Sequence, residues 1–324
     1  MPEMMKHLFI VNPVAGGRDR SRSIREQAAA LFGADAFYEV YTTTGPGDAE
    51  RKIRSDSAGG GALRVYAVGG DGTLNECIQA AAGTERVAVG LYPAGTGNDF
   101  ARMFGEERRR LNDLAELVHG EERPLDLIRC CGRYGVNICS VGIDARVGTQ
   151  VHRYTSLPLV GGTGAYLCSA VVNFCRGVQQ PMELRFGGRV FSGDVALVCA
   201  CNGRYYGGGW QPVPEARPDD GLLDFIIIHG ISRLDLLRLA PRYAGGAYQK
   251  IPGKYLIHYR GPRLEIEAPE PLDVNIDGEL AVSKHVEFQA VPGGVRFIFP
   301  KDMEFFKNRS YKTKENQSKS EISL

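Results

Sequence analysis

The sequence predicts a parallel α/β domain followed by a β-sandwich domain, and three observations predict it. Four short β-forming runs in the first third each end in a glycine- or hydroxyl-rich loop that opens into a helical stretch. From Arg123-Pro124-Leu125-Asp126 onward the texture changes to β-runs in succession with few helices. The chain, at 324 residues, also exceeds the usual length of one domain. The boundary is placed near Glu122 to Pro124, which divides the chain into 1–123, 124–300 and a terminal segment, 301–324.

In order, Lys6 to Val11 reads as a short buried strand, followed by the loop Asn12-Pro13-Val14-Ala15-Gly16-Gly17 and a polar helix from about Asp19 to Phe32. The loop has neither the GxxxxGK[ST] spacing of a P-loop nor a full GxGxxG. Ala36 to Tyr41 gives a second strand, and the hydroxyl-rich Thr42-Thr43-Thr44-Gly45-Pro46-Gly47-Asp48 enters another helix. The third unit, Leu63 to Glu76, carries the most chemistry: a run of β-formers stops at Gly69-Gly70-Asp71-Gly72, and Thr73 opens a helix. Successive glycines let backbone N–H groups converge on phosphate oxygens at the positive end of the helix. An aspartate in such a cradle suits a site where a metal ion or a transferable proton lies between anions; the alternative is a helix cap. Arg86 to Leu91 is the fourth strand, and Tyr92 to Arg102 repeats the pattern with Gly95-Thr96-Gly97 and Asp99. Two carboxylates at adjacent strand ends suit Mg²⁺ bound to a nucleotide, while Asp99 alone also reads as a helix cap.

The second domain is assembled from β-runs at Leu125–Cys131, Tyr134–Val141, Met182–Phe186, Arg189–Cys201, Leu222–His229, Leu264–Glu267, Leu272–Ile276, Val286–Ala290 and Val295–Phe299. Gly164 to Arg176 and Ser232 to Tyr243 read as helices whose apolar faces are packing surfaces, with membrane anchoring as the alternative. Two polar islands interrupt the strands. One runs from Asn202 to Trp210 and on to Pro218-Asp219-Asp220-Gly221-Leu222-Leu223-Asp224, where Asp220 and neighbouring carbonyls can hold a hard cation or form a plain turn. The other, Asn275-Ile276-Asp277-Gly278-Glu279, reads as a β-turn. Tyr205, Tyr206 and Trp210 suit either loop packing or a membrane interface.

Composition narrows the function. With 39 basic against 38 acidic residues the chain is nearly neutral, which argues against a nucleic-acid binder. Eight cysteines without CxxC or Cys/His spacing read as small buried residues in a reducing compartment. The apolar run near Met1 is too short for a signal peptide and no stretch approaches a membrane span, so a cytoplasmic protein with at most peripheral membrane contact is expected. The charge run Glu106 to Arg110 and the tail from Lys307 read as solvated, with contact to anionic lipid as the alternative for each.

GGDGTLNE at Gly69 to Glu76, NPVAGG at Asn12 to Gly17, PAGTGNDFAR at Pro93 to Arg102, NGRYYGGG at Asn202 to Gly209, PEARPDDGLLD at Pro214 to Asp224 and DGE at Asp277 to Glu279 stand in one order. In this the chain resembles the soluble bacterial diacylglycerol kinases and related lipid kinases, within the superfamily that includes NAD kinases. The resemblance spans about residues 5 to 300. It implies a Rossmann-like α/β domain bearing ATP, a C-terminal β-sandwich domain of the NAD kinase/diacylglycerol kinase type, an active site between them, and last residues that return to the first domain. It implies ATP contacts at Asn12, Pro13, Val14, Ala15, Gly16, Thr43, Gly70, Asp71, Gly72, Thr73, Leu74, Asn75, Glu76 and Thr96. It implies Mg²⁺ held by Asp220 with the Arg217 and Leu222 carbonyls, and Glu279 as general base; the carboxylates at the strand ends, Asp71 and Asp99, are expected to help organise the metal directly or through water. None of the six histidines falls in a motif, which favours carboxylate over imidazole base catalysis. The implied partners are ATP, a lipid alcohol, a peripheral membrane surface and optionally a second copy of the chain. Diacylglycerol, giving phosphatidate, is the first expectation for the acceptor. Phosphatidylglycerol or a sphingoid base is the alternative; an NAD kinase or a non-catalytic nucleotide-binding regulator fits the islands and the carboxylates less well.

Overall fold

The computed structural model describes residues 5–33, 37–143, 145–146 and 177–307. The helix expected over Gly164 to Arg176, with Cys168 and Cys175, and the tail after Lys307 lie outside the described residues.

The first sheet contains β1 (Lys6–Val11), β2 (Tyr38–Thr42), β3 (Leu63–Gly69) and β4 (Val87–Pro93), in the parallel order β2-β1-β3-β4. Leu8 through Val11 are completely buried, as a central parallel strand covered on both faces requires. Helices α1 (Ser21–Phe32), α2 (Asp48–Ser57) and α3 (Asp71–Ala81) connect the strands, and the short α4 (Asp99–Arg102) and α5 (Leu114–Val118) follow β4. All four loops that leave the strands therefore emerge at one edge of the sheet. The Asp19 carboxylate accepts the Ser21 N–H (2.8 Å), which moves the start of the first helix two residues beyond the expected one.

The second half contributes β5 (Glu121–Cys130), β6 (Arg133–Gly135), β7 (Ile138–Gly142), β8 (Gln180–Phe186), β9 (Arg189–Cys201), β10 (Leu223–His229), α6 (Arg233–Ala244), β11 (Leu256–Gly261), β12 (Arg263–Ile276), β13 (Glu279–Phe299) and α7 (Glu304–Lys307). Both β9 and β12 are long enough to pair with β7 near one end and β8 near the other, folding two layers over one core. Period-two alternation is visible in β10: Leu223, Phe225 and Ile227 face that core, whereas Ile226 and Ile228 face a second cluster beneath α6.

Two differences from the sequence reading have distinct causes. The four short runs expected after Leu264 are two long strands, because Pro269 and Pro271 lie in a register shift of β12 and Pro292-Gly293-Gly294 lie in one of β13. Tyr134 to Val141, expected as one strand, is split into β6 and β7 at Val136 and Asn137, whose N–H groups go to a side chain.

The continuity of β13 alters the division of the chain. Its last turn of ladder, Arg296 to Ile298, pairs in parallel with Ala88 to Gly90 of β4, and Val295, Phe297, Ile298 and Phe299 sit in the first core. Leu125 and Leu127 belong to that same core, while Ile128 belongs to the second. A cut at residues 123 and 300 thus does not separate the two cores. Gln79 adds a polar stitch: it donates to the Tyr134 carbonyl (2.6 Å) and accepts the Tyr134 N–H (3.1 Å), joining α3 to β6 as a backbone segment would.

Phe297 has no exposed surface, and its ring lies 5.1 Å from Phe100 and 4.7 Å from Phe299. Phe297→Ala is expected to cost about 3–5 kcal/mol in urea unfolding, with amide-exchange protection lost first in β1, β3 and β4. Loss confined to β9 and β10 would show that β13 does not support the first core.

Candidate active site

The glycine loops meet backbone to backbone. A Cβ on Gly95 would stand 2.5 Å from the Gly70 Cα, and one on Gly16, at φ +61°, would stand 2.4 Å from the Ala94 carbonyl oxygen. Glycine is therefore demanded at these positions by the approach of three strand-end loops, those after β1, β3 and β4. Gly72 differs: its φ is ordinary and a Cβ there would meet nothing within 4 Å. This leaves open room over the first turn of α3, beside N–H groups without intrahelical partners.

Polar side chains fix these loops. Asn12 donates from Nδ2 to Thr73 Oγ1 (3.2 Å) and accepts the Val14 N–H (3.1 Å), tying the first loop to α3. The Thr43 N–H donates to the Val11 carbonyl (2.9 Å). Pro13 is half-buried, Ala15 is buried, and Val14 and Thr96 are exposed on the same edge. Two of the predicted nucleotide residues have other work for their side chains. Leu74 is buried in the core, and Glu76 accepts the Gly47 (2.9 Å) and Ala49 (3.1 Å) N–H groups, capping α2. Asn75 is buried, with its Oδ1 accepting from Gln79 Nε2 (3.5 Å).

Asp71 and Asp99 come together as expected. Asp71 accepts the Asp99 N–H (3.1 Å) through Oδ2 and the Phe100 N–H (3.3 Å) through Oδ1, so it caps α4 from the neighbouring strand end. Asp99 accepts from Arg102 Nε (3.1 Å) and, across the gap between the two halves of the chain, from the Gly208 N–H (2.7 Å). Burial raises the Asp99 pKa and the adjacent Asp71 charge adds to the rise, against the Gly208 N–H and Arg102. A cleft of about 250 Å³ opens here, lined by Asp71, Asp99, Asn137, Tyr206, Asp277 and Gly278 among others.

Asp277, read in the sequence only as the start of a turn, is the wall of this cleft. It adopts φ +49° and its carboxylate, in a half-buried residue, accepts N–H groups of Val136 (2.6 Å), Asn137 (3.2 Å) and Ile138 (2.8 Å). Burial pushes its pKa up to about 6, and the charge of Asp71 adds to this, although the three N–H groups oppose it. Asn137 in turn accepts the Asn202 (3.0 Å) and Gly203 (2.7 Å) N–H groups on its carbonyl and donates from Nδ2 to the Tyr205 carbonyl. The loop that supplies Gly208 is thereby hung from Asp277. A signal was present in DGE, since an aspartate before glycine tolerates the left-handed conformation, but its three partners lie about 140 residues earlier.

Glu279 and Asp220 are not among the residues lining the cleft. Glu279 is exposed at the first position of β13, directly after the cleft-lining Gly278. Asp220 forms an ion pair with Arg260 and accepts the Leu222 N–H (3.1 Å). Next to it, Asp126 accepts the N–H groups of Gly221 (2.6 Å) and Gly293 (2.8 Å). Asn202 donates from Nδ2 to both the Asp126 (2.8 Å) and Val136 (2.7 Å) carbonyls, so the Asp220 loop and the Asp277 clamp share one hydrogen-bonded frame. Among the described residues no three His, Cys, Asp or Glu side chains are grouped to hold a metal ion. The donor set expected for Mg²⁺, one carboxylate and two carbonyls, nevertheless suits a hard cation that keeps waters and phosphate oxygens. Burial raises the Asp220 pKa, against Arg260 and the Leu222 N–H, and the charges of Asp224 and Asp126 add to the rise.

Fold and site together define a nucleotide-type α/β domain whose phosphate-receptive loops are closed by a β-sandwich bearing carboxylates. Comparison with known proteins gives the family. The diacylglycerol kinase catalytic domain model matches residues 6–130, and the YegS C-terminal NAD kinase beta sandwich-like domain model matches residues 137–299. The chain is 34% identical over 289 residues to the "Probable lipid kinase YegS-like" of Xanthomonas oryzae pv. oryzae (strain MAFF 311018), covering 86% of this chain and 92% of the relative. It is 33% identical over 288 residues to the protein of that name from Pseudomonas aeruginosa (strain UCBPP-PA14), covering 88% and 92%. A diacylglycerol kinase crystal structure from Bacillus anthracis str. Sterne is similar in fold, with a TM-score of 0.66 at 22% identity over 92% of this chain and 98% of that one. The chain belongs to the family of YegS-like lipid kinases.

A carboxyl with a raised pKa in the folded state contributes stability below its unfolded pKa that is lost as pH rises through the folded value. Relative to Asp277→Asn, the wild type should thus lose about 1–3 kcal/mol of unfolding free energy between pH about 4 and about 6. Urea titrations of both proteins across this window check it, and a difference independent of pH would mean that Asp277 does not titrate there.

Proposed function

We propose that the protein transfers the γ-phosphoryl group of ATP to the hydroxyl of diacylglycerol, giving phosphatidate. The observation that supports this reading most is the shared cleft, where Asp71 and Asp99 from strand ends of the first sheet face Asn137, Asp277 and Gly278 from the second half. Phosphoryl transfer requires mainly that donor and acceptor be positioned and that charge be neutralised. The donor phosphates fit the open first turn of α3, where Gly72 leaves room and backbone N–H groups point outward. Asp71 sets the orientation of α4 and thereby of Asp99, and Asp99 binds the Gly208 loop to the first domain.

Glu279 is the proposed general base. It follows the Asp277-Gly278 turn, whose geometry is fixed by three N–H bonds to the Asp277 carboxylate, so its backbone position at the cleft lip is set. Asp220 with the Arg217 and Leu222 carbonyls would hold Mg²⁺, and when bound the ion supplies positive charge for the transferring phosphoryl group. Both carboxylate oxygens of Asp71, and both of Asp99, already accept hydrogen bonds, which favours a water-bridged over a direct relation to a cation. Diacylglycerol is preferred as acceptor because the matching first-domain model is that of diacylglycerol kinases.

Radiolabelled ATP offered with diacylglycerol, phosphatidylglycerol, sphingosine and NAD should label diacylglycerol. Label on another lipid alcohol reassigns the acceptor, and ATP binding without labelled product overturns the kinase reading. Glu279→Gln should lower kcat by roughly 10²–10⁴-fold with ATP affinity retained; wild-type turnover removes Glu279 from the reaction. For Asp220→Ala, activity should fall at limiting Mg²⁺ and recover partly at high Mg²⁺, and the rise in Tm with Mg²⁺ should be lost. An unaltered Mg²⁺ response in both readouts would assign the ion elsewhere.

A further inference from the structure

The outward face of α6 carries a pattern that a solvated helix does not need. Positions 233, 237 and 241, with 234, 238 and 242, form two adjacent rows along the helix, occupied by Arg233, Leu237, Pro241, Leu234, Arg238 and Arg242. Leu234 is 56% exposed and Leu237 is 57% exposed, and no carboxylate stands in either row. The inner face is complete without them, because Leu236, Leu239 and Tyr243 pack on the core beneath. Ser232 caps the helix by accepting the Asp235 N–H (3.1 Å), so the helix is locally well defined.

The surroundings add positive charge. Arg242 donates to the Lys250 carbonyl (3.0 Å), which sets the exposed Lys250 beside the helix end. The exposed Lys254 lies over the Tyr255 ring, and the Tyr255 hydroxyl donates to Asp235 (3.0 Å). Of the neighbouring carboxylates, Asp235 is engaged by Ser232 and Tyr255 and lies 3.7 Å from the exposed Arg238 guanidinium, and Glu215 is engaged by Tyr248 and Gln249. Apolar side chains interleaved with arginines on one helical face, flanked by lysines, match the interfacial region of an anionic bilayer: leucines enter the acyl boundary while the cations meet headgroup phosphates. The same helix touches the active site, since the Tyr243 hydroxyl lies 3.0 Å from that of the cleft-lining Tyr206.

We infer that α6 is a membrane-docking helix that lies flat on an anionic lipid surface and brings the cleft to the bilayer. As an account of how acceptor is reached, this rests on the lipid-kinase reading; as a statement about the surface, it is tested without turnover. Full-length protein without ATP would be co-sedimented with vesicles of phosphatidylcholine plus phosphatidylglycerol and with vesicles of phosphatidylcholine alone. Wild type should bind the anionic vesicles more tightly, and less so as salt is raised. Leu234→Ser/Leu237→Ser and, separately, Arg233→Gln/Arg238→Gln/Arg242→Gln should each weaken that binding by about tenfold or more. Thermal unfolding checks that both variants are folded. Folded variants that bind anionic vesicles like wild type overturn the inference. So does a leucine variant that changes only from dimer to monomer in sedimentation velocity, because the face would then serve a second copy. Loss of vesicle binding in the variants, with no lipid phosphorylated by wild type, would uphold the surface and reject the kinase reading alone.

Discussion

The bend of β13 at Pro292-Gly293-Gly294 is the constraint on which the two halves of the molecule depend. Before it, the strand pairs with β12 in the second core; after it, the strand pairs with β4 in the first. A single buried carboxylate pins the bend, since Asp126 accepts the Gly293 N–H and, on its other oxygen, the Gly221 N–H. Its own N–H donates to the Pro218 carbonyl (2.8 Å), so the loop carrying Asp220 is fastened to the same point. Burial raises the Asp126 pKa, and the N–H groups of Gly293, Gly221 and Asp220 oppose that rise. The carboxylate is therefore held by backbone N–H groups rather than by a cation.

The cleft repeats this solution. Asp71, Asp99 and Asp277 crowd into one site, and each is stabilised chiefly by N–H groups from a different segment: α4 for Asp71, the Gly208 loop for Asp99, and the turn before β7 for Asp277. Each charge thereby holds a piece of backbone, and the pieces held are the ones that frame the cleft. Burial raises the pKa of Asp99 and Asp277, and the charge of Asp71 adds to the rise in both, so a cation bound to nucleotide phosphates would relieve the crowding of negative charge. Removing one carboxylate would both relieve repulsion and release a loop, so charge and positioning are not separable by a single neutralising substitution.

What the sequence revealed follows from how local each signal is. The loops after β1, β3 and β4 were legible because glycine, asparagine and aspartate beside buried β-runs leave few other structures open to them. The helix after Ser232 was legible through its cap and its spacing. The passage of β13 between two cores was hidden by Pro292 and two glycines, which read as a break when neighbours along the chain are the only guide. Asp277 and Gln79 were hidden for a different reason: each replaces a ladder bond of a strand distant in sequence, and nothing in DGE or NECIQ names that strand. Glu76 lies inside the most recognisable motif, yet its carboxylate caps α2, which shows that a motif can mark a ligand site while some of its side chains build the fold.

Cleft size connects the chemistry to the surface. Sites that enclose a drug-sized ligand measure about 300–1,000 Å³. The 250 Å³ here sets the carboxylates of Asp71, Asp99 and Asp277 and the amides of Asn137 and Asn275 against an apolar part formed by Leu74, Phe100, Val136, Ile138 and Tyr206. Such a space suits the reacting ends of two molecules and not a pair of acyl chains as well. On the proposed reading, the chains of a lipid alcohol would remain in the membrane while the hydroxyl reaches inward, and the proposed docking of α6 would supply affinity for the acceptor. No helix among the described residues is long and apolar enough to span a membrane. Tyr206, bonded on one side to Tyr243 of α6 and exposed on the other to the cleft, is where the surface and the reacting site are joined.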